Sequence, residues 1–410
     1  MKVKLFTLLI FFCPAKIFGQ FIFKTLATPS TNTLLGISFA DTSVGYACGD
    51  GGLIIKTIDG GSNWSLLSTG IVQNLWDIKV IPKSNGKKVI AVGEDNTVIK
   101  SMDGGVTWKS QVIPFLAGSF VFGIQCLDSL NYFACGGDYG TFSGAVLRTK
   151  DGGATWTSTN VPGSIFLDKL FMLDTAKGFA VGTNKTFEDG SIQKGVSGVY
   201  SASKISTDII TNLCCIDTNN IIAVGVAGQI WKSTDGGMNW KDKSYGINHL
   251  YGVQFRSPKT GFACGGNNTA NEILYTNDSG NTWVQIPYSF AGILNSMCIV
   301  GDKVFMAGES GRVIKADLPS LSAIPNEGKE KGEVSIFPNP AKDKVYVKAA
   351  TSAIGSDFRL FDAFGKIILE TGIGARVEEL NVQHLPSGTY VYSIEKGGLP
   401  SGSGKIEIIK

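Results

Sequence analysis

Five segments of the chain repeat one pattern, Ser/Thr-x-Asp-Gly/Ser-Gly-x-Thr/Asn-Trp, and a chain with such self-similarity folds as an array or a ring of like units. The Asp and Trp positions are Asp59 and Trp64, Asp103 and Trp108, Asp151 and Trp156, Asp235 and Trp240, Asp278 and Trp283. Successive Asp residues lie 44, 48, 84 and 43 positions apart, so the 84 spans two units and one unit has lost its signature. A period of about 43 residues is that of a propeller blade, a sheet of four strands.

The rest of each unit fits a blade. An alternating stretch opens it, as in Gly36-Ile37-Ser38-Phe39 or Gly252-Val253-Gln254-Phe255, and alternation with period two marks a strand. A second strand ends in Gly49, Gly93, Gly136, Gly182, Gly225, Gly265 or Gly308. A third follows, such as Val98–Lys100 or Val313–Lys315, and the Asp turn then leads into a fourth that opens with Trp. Seven units result, counting a degenerate fourth over about 168–207 and a seventh over about 294–317 that lacks its outer strand. The segment Phe21–Leu26 precedes the first unit and is the natural donor of that strand. Lending it to the last blade closes the ring and removes an open sheet edge. The expected fold is therefore all-β: a seven-bladed β-propeller with N-terminal strand closure over residues 20–317. Eight blades, or six with a damaged end, are the alternatives.

The Asp of each repeat reads as a staple. Its carboxylate can accept backbone N–H groups of the turn that follows, and the glycines supply the positive φ of such a turn. The Trp offers about 150–250 Å² of surface to bury, between blades. Five copies spread evenly round a ring cannot converge on one substrate, which argues against a catalytic or metal-binding role for these Asp residues.

Composition narrows the function. Charged residues are only 17% and the net charge is +3, carried by 32 Lys and 5 Arg. This excludes the basic, Arg-rich face of a nucleic-acid binder. Two histidines, His249 and His384, exclude a site built from several imidazoles. Cys48, Cys135 and Cys264 fall in one repeat column, where other blades carry Val92, Val181 and Val224, and so read as small core residues. No CxxC spacing is present, so neither a metal site nor a disulfide framework is expected, and no cofactor.

Both ends read as addresses. Met1–Lys4 is basic, Leu5–Phe12 is an apolar run too short to span a bilayer, and Gly19 offers a cleavage point that leaves Gln20 first. This is the pattern of a signal peptide over residues 1–19; a buried strand is the bland alternative. Cys13 raises lipid attachment, against which stand the bulky Phe11 and Phe12 before it. No later segment is long and apolar enough for a membrane helix. Residues 318–333, rich in Pro, Ser and charge, read as a linker. Seven short alternating stretches then fill 334–410, which suggests a small Ig-like β-sandwich.

These motifs carry two resemblances. The repeat resembles the Asp-box, or BNR, repeat of sialidases, sortilin-like receptors and xyloglucan-cleaving glycosidases. With its Gly-ended second strand it is most similar to the seven-bladed photosystem II assembly-factor propellers and their non-photosynthetic bacterial relatives. In the C-terminal region, Pro338-Asn339-Pro340, Phe361–Gly365, Gly388-Thr389-Tyr390 and a terminal strand with Lys405 resemble the type A C-terminal sorting domain of the type IX (Por) secretion system of Bacteroidetes. That resemblance implies passage across the outer membrane and removal of the domain by a sortase-like peptidase. The body is then released or attached to surface lipopolysaccharide, so the expected location is secreted or cell-surface.

The Asp-box resemblance fixes fold more than function. A sialidase would need three Arg on the substrate carboxylate, yet the propeller holds only Arg148, Arg256 and Arg312, two of them on third strands. Other glycosidases need two carboxylates about 5–9.5 Å apart. Asp77 and Asp168, at the start of innermost strands, are the conceivable pair. The long second-to-third-strand loops of blades 3, 4 and 6 share a face with the blade-to-blade connections. They make Tyr139, Phe142, Phe187, His249, Tyr251 and Asn267 the expected ligand-contacting residues. The body is thus expected to bind a glycan or a protein without catalysis, with a carbohydrate-active hydrolase as runner-up.

Overall fold

The structure is a computed structural model. It describes residues 21–113, 119–138, 140–184, 190–204, 208–318, 334–338, 340–349, 354–362, 367–375, 377–396 and 399–410. The expected signal peptide, most of the linker, Tyr139, Phe187, Asn339 and Gly365 lie outside the described residues. The chain divides into two compact units, Met1–Ser320 and Leu321–Lys410.

In the first unit seven four-stranded antiparallel sheets follow one another, six of them simple meanders and the seventh a three-strand meander completed by a strand from elsewhere in the chain. Their innermost strands are Leu34–Phe39, Leu75–Val80, Phe120–Cys126, Ser164–Met172, Ile210–Cys215, His249–Phe255 and Leu294–Val300. Each innermost strand contacts the next, and the seventh contacts the first, so the ring is closed. The closing strand is N-terminal: Phe23–Leu26 pairs antiparallel with Val313–Asp317, Phe23 opposite Ala316 and Leu26 opposite Val313. Phe23 points inward and Lys24 outward, the alternation that a half-buried strand requires.

The core is a set of seven apolar layers, one between each pair of neighbouring blades. The Asp-box Trp is a wedge in these layers. Trp64 packs among Phe39 of its own blade and Phe305 and Ala307 of blade 7, and Trp156 among Ile90 and Val92 of blade 2. The turn itself is stitched by side chains. Thr57 donates its hydroxyl to Asp59 Oδ1 at 2.9 Å and accepts the Gly61 N–H at 2.9 Å. Asp59 in turn accepts the Asn63 N–H, four residues on, at 2.9 Å. Gly60 and Gly61 sit at φ of 70° and 87°, where a side chain would be strained.

A further device joins blade to blade. Third-strand lysines donate to carbonyls of the next blade's Asp box: Lys56 to Gly104 at 2.7 Å, Lys100 to Gly152 at 2.5 Å, Lys232 to Ser279 at 2.8 Å and Lys315 to Gly60 at 3.1 Å. Blade 4 has no Asp box to receive such a bond. It begins at Ser164 rather than near 168, and Ser197-Gly198, both at positive φ, turn its third strand directly into its fourth. Two consecutive positive-φ residues make a tight hairpin without the box. Arg148, which precedes this blade, instead places its guanidinium 5.1 Å from the Phe133 ring centre.

The cysteine column has a packing cause. Cys48, Cys135 and Cys264 stand opposite Gly36, Gly123 and Gly252, whereas Val92, Val181 and Val224 stand opposite Asp77, Lys169 and Asn212. A Cβ at Gly36 would come within 3.0 Å of the Asp77 backbone and 2.9 Å of Cys48 Sγ, so here glycine permits strand approach and cysteine fills the remainder. All seven described cysteines are free.

The second unit is a β-sandwich of a three-stranded and a four-stranded antiparallel sheet. Val345, Val347, Phe358, Leu360, Ile394 and Ile406 form its core. Tyr390 is buried and donates its hydroxyl to Pro386 O at 2.9 Å. Gly388 opens the strand that leads into it, Pro338 and Pro340 are exposed, and Lys405 lies on the last strand.

Candidate functional site: the axial mouth

Each innermost strand carries a bulge at the same place, a residue skipped in its pairing with the second strand, and the innermost strand of blade 4 skips one residue more, Ile165. The residues skipped at the shared place are Leu35, Trp76, Phe122, Asp168, Thr211, Tyr251 and Asn295. A bulge breaks the ladder and re-aims its side chain. All seven of these side chains line one cavity of about 410 Å³ around the axis, joined by Phe166, Lys169 and Thr183. The cavity lies where the innermost strands begin, the end of the ring that carries the blade-to-blade connections.

One side of this mouth is aromatic. The rings of Trp76 and Phe122 lie 5.5 Å apart edge to face, and those of Phe122 and Phe166 5.8 Å apart. Phe120 stacks behind Phe122 at 5.7 Å. Tyr251 faces the cavity from blade 6, its phenol pushed up by burial and by Glu309. Two polar bulge residues tie the rim together: Thr211 donates its hydroxyl to Leu250 O, and Asn295 donates its amide to Leu34 O at 3.0 Å. Asp168 is the one carboxylate lining the cavity. Its carboxyl has no hydrogen bond or ion pair among the described residues, and burial pushes it up to about 7 against the pull of Lys169.

Deeper on the axis a second, polar chamber of about 190 Å³ is lined by Asp77, Lys79, Lys169, Gln125, Asn212 and Gln254 among others. Asp77 is locked there. It lies 2.9 Å from Lys79 Nζ and 3.1 Å from Lys169 Nζ, and accepts the Ile78 and Ile124 N–H groups at 2.9 and 3.2 Å. Burial alone would raise its carboxyl, but the two ammoniums hold it below the ordinary range. The buried thiols are pushed the other way, Cys214 up to about 11, which makes them poor nucleophiles.

Of the residues expected to touch a ligand, Tyr251 lines the mouth. His249 begins the blade 6 innermost strand, and its Nδ1 accepts the Ala227 N–H at 3.0 Å. Asn267 is held by its own loop and by the connection that enters blade 6, its Oδ1 accepting the Ala270 N–H at 2.9 Å and its amide donating to Asn248 Oδ1 at 2.6 Å. Phe142 is 47% exposed on the blade 3 loop. The Asp-box carboxylates stay on the outer turns, with Asp103 and Asp235 each lowered to about 2 by the hydrogen bonds they accept. Among the described residues no three His, Cys, Asp or Glu gather as metal ligands.

The fold and site define a class: a closed Asp-box propeller with an axial aromatic mouth, followed by a separate β-sandwich. Residues 19–165 match the family Photosynthesis system II assembly factor YCF48, and residues 335–409 match the Secretion system C-terminal sorting domain. The chain therefore carries a YCF48-like propeller and a sorting domain that marks it for type IX export, to the cell surface or the medium. Among solved structures, YCF48 bound to D1 peptide is 21% identical, covering 73% of this chain and 95% of its own, with a TM-score of 0.58. YCF48 from Cyanidioschyzon merolae is 17% identical, covering 72% of this chain and 98% of its own, at a TM-score of 0.57. A virginiamycin B lyase from Staphylococcus aureus with quinupristin is 13% identical, covering 73% and 100%, at 0.60. At these identities the likeness is one of fold. No curated protein matches the chain. No helix among the described residues is long and apolar enough to cross a membrane.

Proposed function

We propose that this is an exported carbohydrate-binding protein that holds its ligand at the axial mouth without transforming it. The observation that carries the reading is the ring of bulges. Seven blades each depart from regular pairing at the same place, and all seven departures aim a side chain into one cavity. Aromatic faces beside hydroxyl, amide and carboxyl groups suit the apolar face and polar rim of a sugar ring. Catalysis by a carboxylate pair is disfavoured because Asp77, the expected partner of Asp168, is neutralised by two lysines. A peptide ligand is the second reading, supported by the solved YCF48 structure that contains a D1 peptide. Release from the sorting domain by a sortase-like peptidase, and attachment of the body to lipopolysaccharide or its release, complete the proposal.

The test is a glycan array probed with the full chain and with W76A and F122A. Retention of hits by the wild type, and their loss in variants with unchanged circular dichroism, is expected. Hits that survive both substitutions would place the ligand elsewhere.

A further inference from the structure

Asp168 has no counterpart among the other carboxylates of the propeller. The bulge delivers it to the mouth, where Trp76, Phe122, Phe166 and Tyr251 line the same cavity. The nearest cation by sequence, Lys169, is already committed. Its Nζ is 3.1 Å from Asp77 Oδ2 and donates to Phe122 O at 3.1 Å. A carboxylate left unpartnered in an apolar setting is costly, and a ligand that supplies the missing cation recovers that cost. Ring faces beside a carboxylate favour a cation in particular, since aromatic quadrupoles attract positive charge. A neutral hydroxyl would use the rings and leave the carboxylate half-served.

We infer that Asp168 anchors a primary ammonium group of the ligand, and that the mouth selects an amino sugar whose ring stacks on Trp76 and Phe122. This rests on the carbohydrate reading and names its ligand class. The upward push on the Asp168 carboxyl, to about 7, fits a group that lacks its partner in the free protein. Asn295, bonded to Leu34 O, and Thr211, bonded to Val224 O and Leu250 O, line the same cavity and can take ring hydroxyls.

The experiment is calorimetric titration of the full chain at pH 7 with three five-sugar probes of one backbone geometry: chitosan pentaose, chitin pentaose and cellopentaose. They present an amine that can take a proton as ammonium, an acetamide and a hydroxyl at the same ring position. Chitosan pentaose is expected to bind about tenfold tighter than the other two, the scale of one charge-assisted hydrogen bond. D168N is expected to bring the three within about threefold of one another, and D168E to keep the order. Thermal melts of both variants confirm that the ring is intact. Equal affinities in the wild type would overturn the inference and leave the carbohydrate reading standing. Binding of none of the three would overturn both. Tighter binding of an oligogalacturonate would overturn it in favour of Lys169, and tighter binding of a blocked Gly-Lys-Gly peptide would overturn the amino-sugar assignment.

Discussion

Replacing Phe23 with Ala removes the main anchor of the strand that closes the ring. Phe23 is 6% exposed, lies 5.6 Å from the Tyr288 ring and packs in the layer between blades 6 and 7. Truncating a buried Phe costs about 3–5 kcal/mol. With a urea slope of about 3 kcal/mol/M for a domain of this size, the midpoint falls by about 1–1.7 M. The neighbouring Lys24 is exposed in the same strand, so K24A should shift it by under about 0.3 M. All seven tryptophans lie between Trp64 and Trp283, so their fluorescence follows the propeller without the C-terminal domain. Equal midpoints for F23A and K24A would refute strand closure as a source of stability. Loss of the strand should also expose the edge at Val313–Asp317, and F23A should associate as concentration rises.

Other outcomes follow from the axis and the blade joints. Because the folded-state carboxyl of Asp168 is raised to about 7, the folded protein holds this proton more tightly than the unfolded chain. Stability should therefore fall as pH rises from about 4 to about 7 and level off above. Across that window Asp77 stays ionised and Lys79 charged, so the axial neighbours do not mask the effect. D168N should raise the melting temperature by about 2–5 °C at pH 8 and leave it unchanged at pH 4, and the reverse order in thermal melts would contradict this. D77A should destabilise by about 3 kcal/mol in urea titrations, because it leaves two axial ammoniums unpaired, and adding K169M should recover part of the loss. K100M should cost about 1 kcal/mol through its lost bond to Gly152, while K150M, at an exposed position, should cost nothing measurable.

The blades were legible because a repeated Trp wedge and a repeated turn are local signals that tertiary packing reuses in every unit. The closing strand was legible by elimination, since blade 7 lacked a fourth strand and Phe21–Leu26 lacked a partner. The mouth was not, although its residues precede the very columns that mark the innermost strands: Trp76 precedes Asp77, and Phe122 precedes Gly123. Period-two alternation assigns such a residue to a regular face. A bulge cancels that assignment, and nothing in the alternation announces where one extra residue enters. Asp168 is legible by its charge, but its isolation, and the capture of Asp77 by Lys169 as well as by its strand neighbour Lys79, depend on blades that only the ring brings together. The lysine ties between blades stood in plain view as the third-strand column Lys56, Lys100, Lys232 and Lys315. Their role needs the neighbouring turn, which only the ring brings near. The absence of a box in blade 4 could be read; its replacement by Ser197-Gly198 required the backbone.

The axial mouth is tested most directly by indole N–H resonances of the uniformly ¹⁵N-labelled full chain during titration with chitosan pentaose. Trp76 is the one tryptophan of the mouth, while Trp64, Trp108, Trp156, Trp240 and Trp283 sit at the Asp boxes. Saturable movement of the Trp76 signal, with the Asp-box signals still, is the result expected here. Movement of the Asp-box signals while Trp76 stays in place would contradict it.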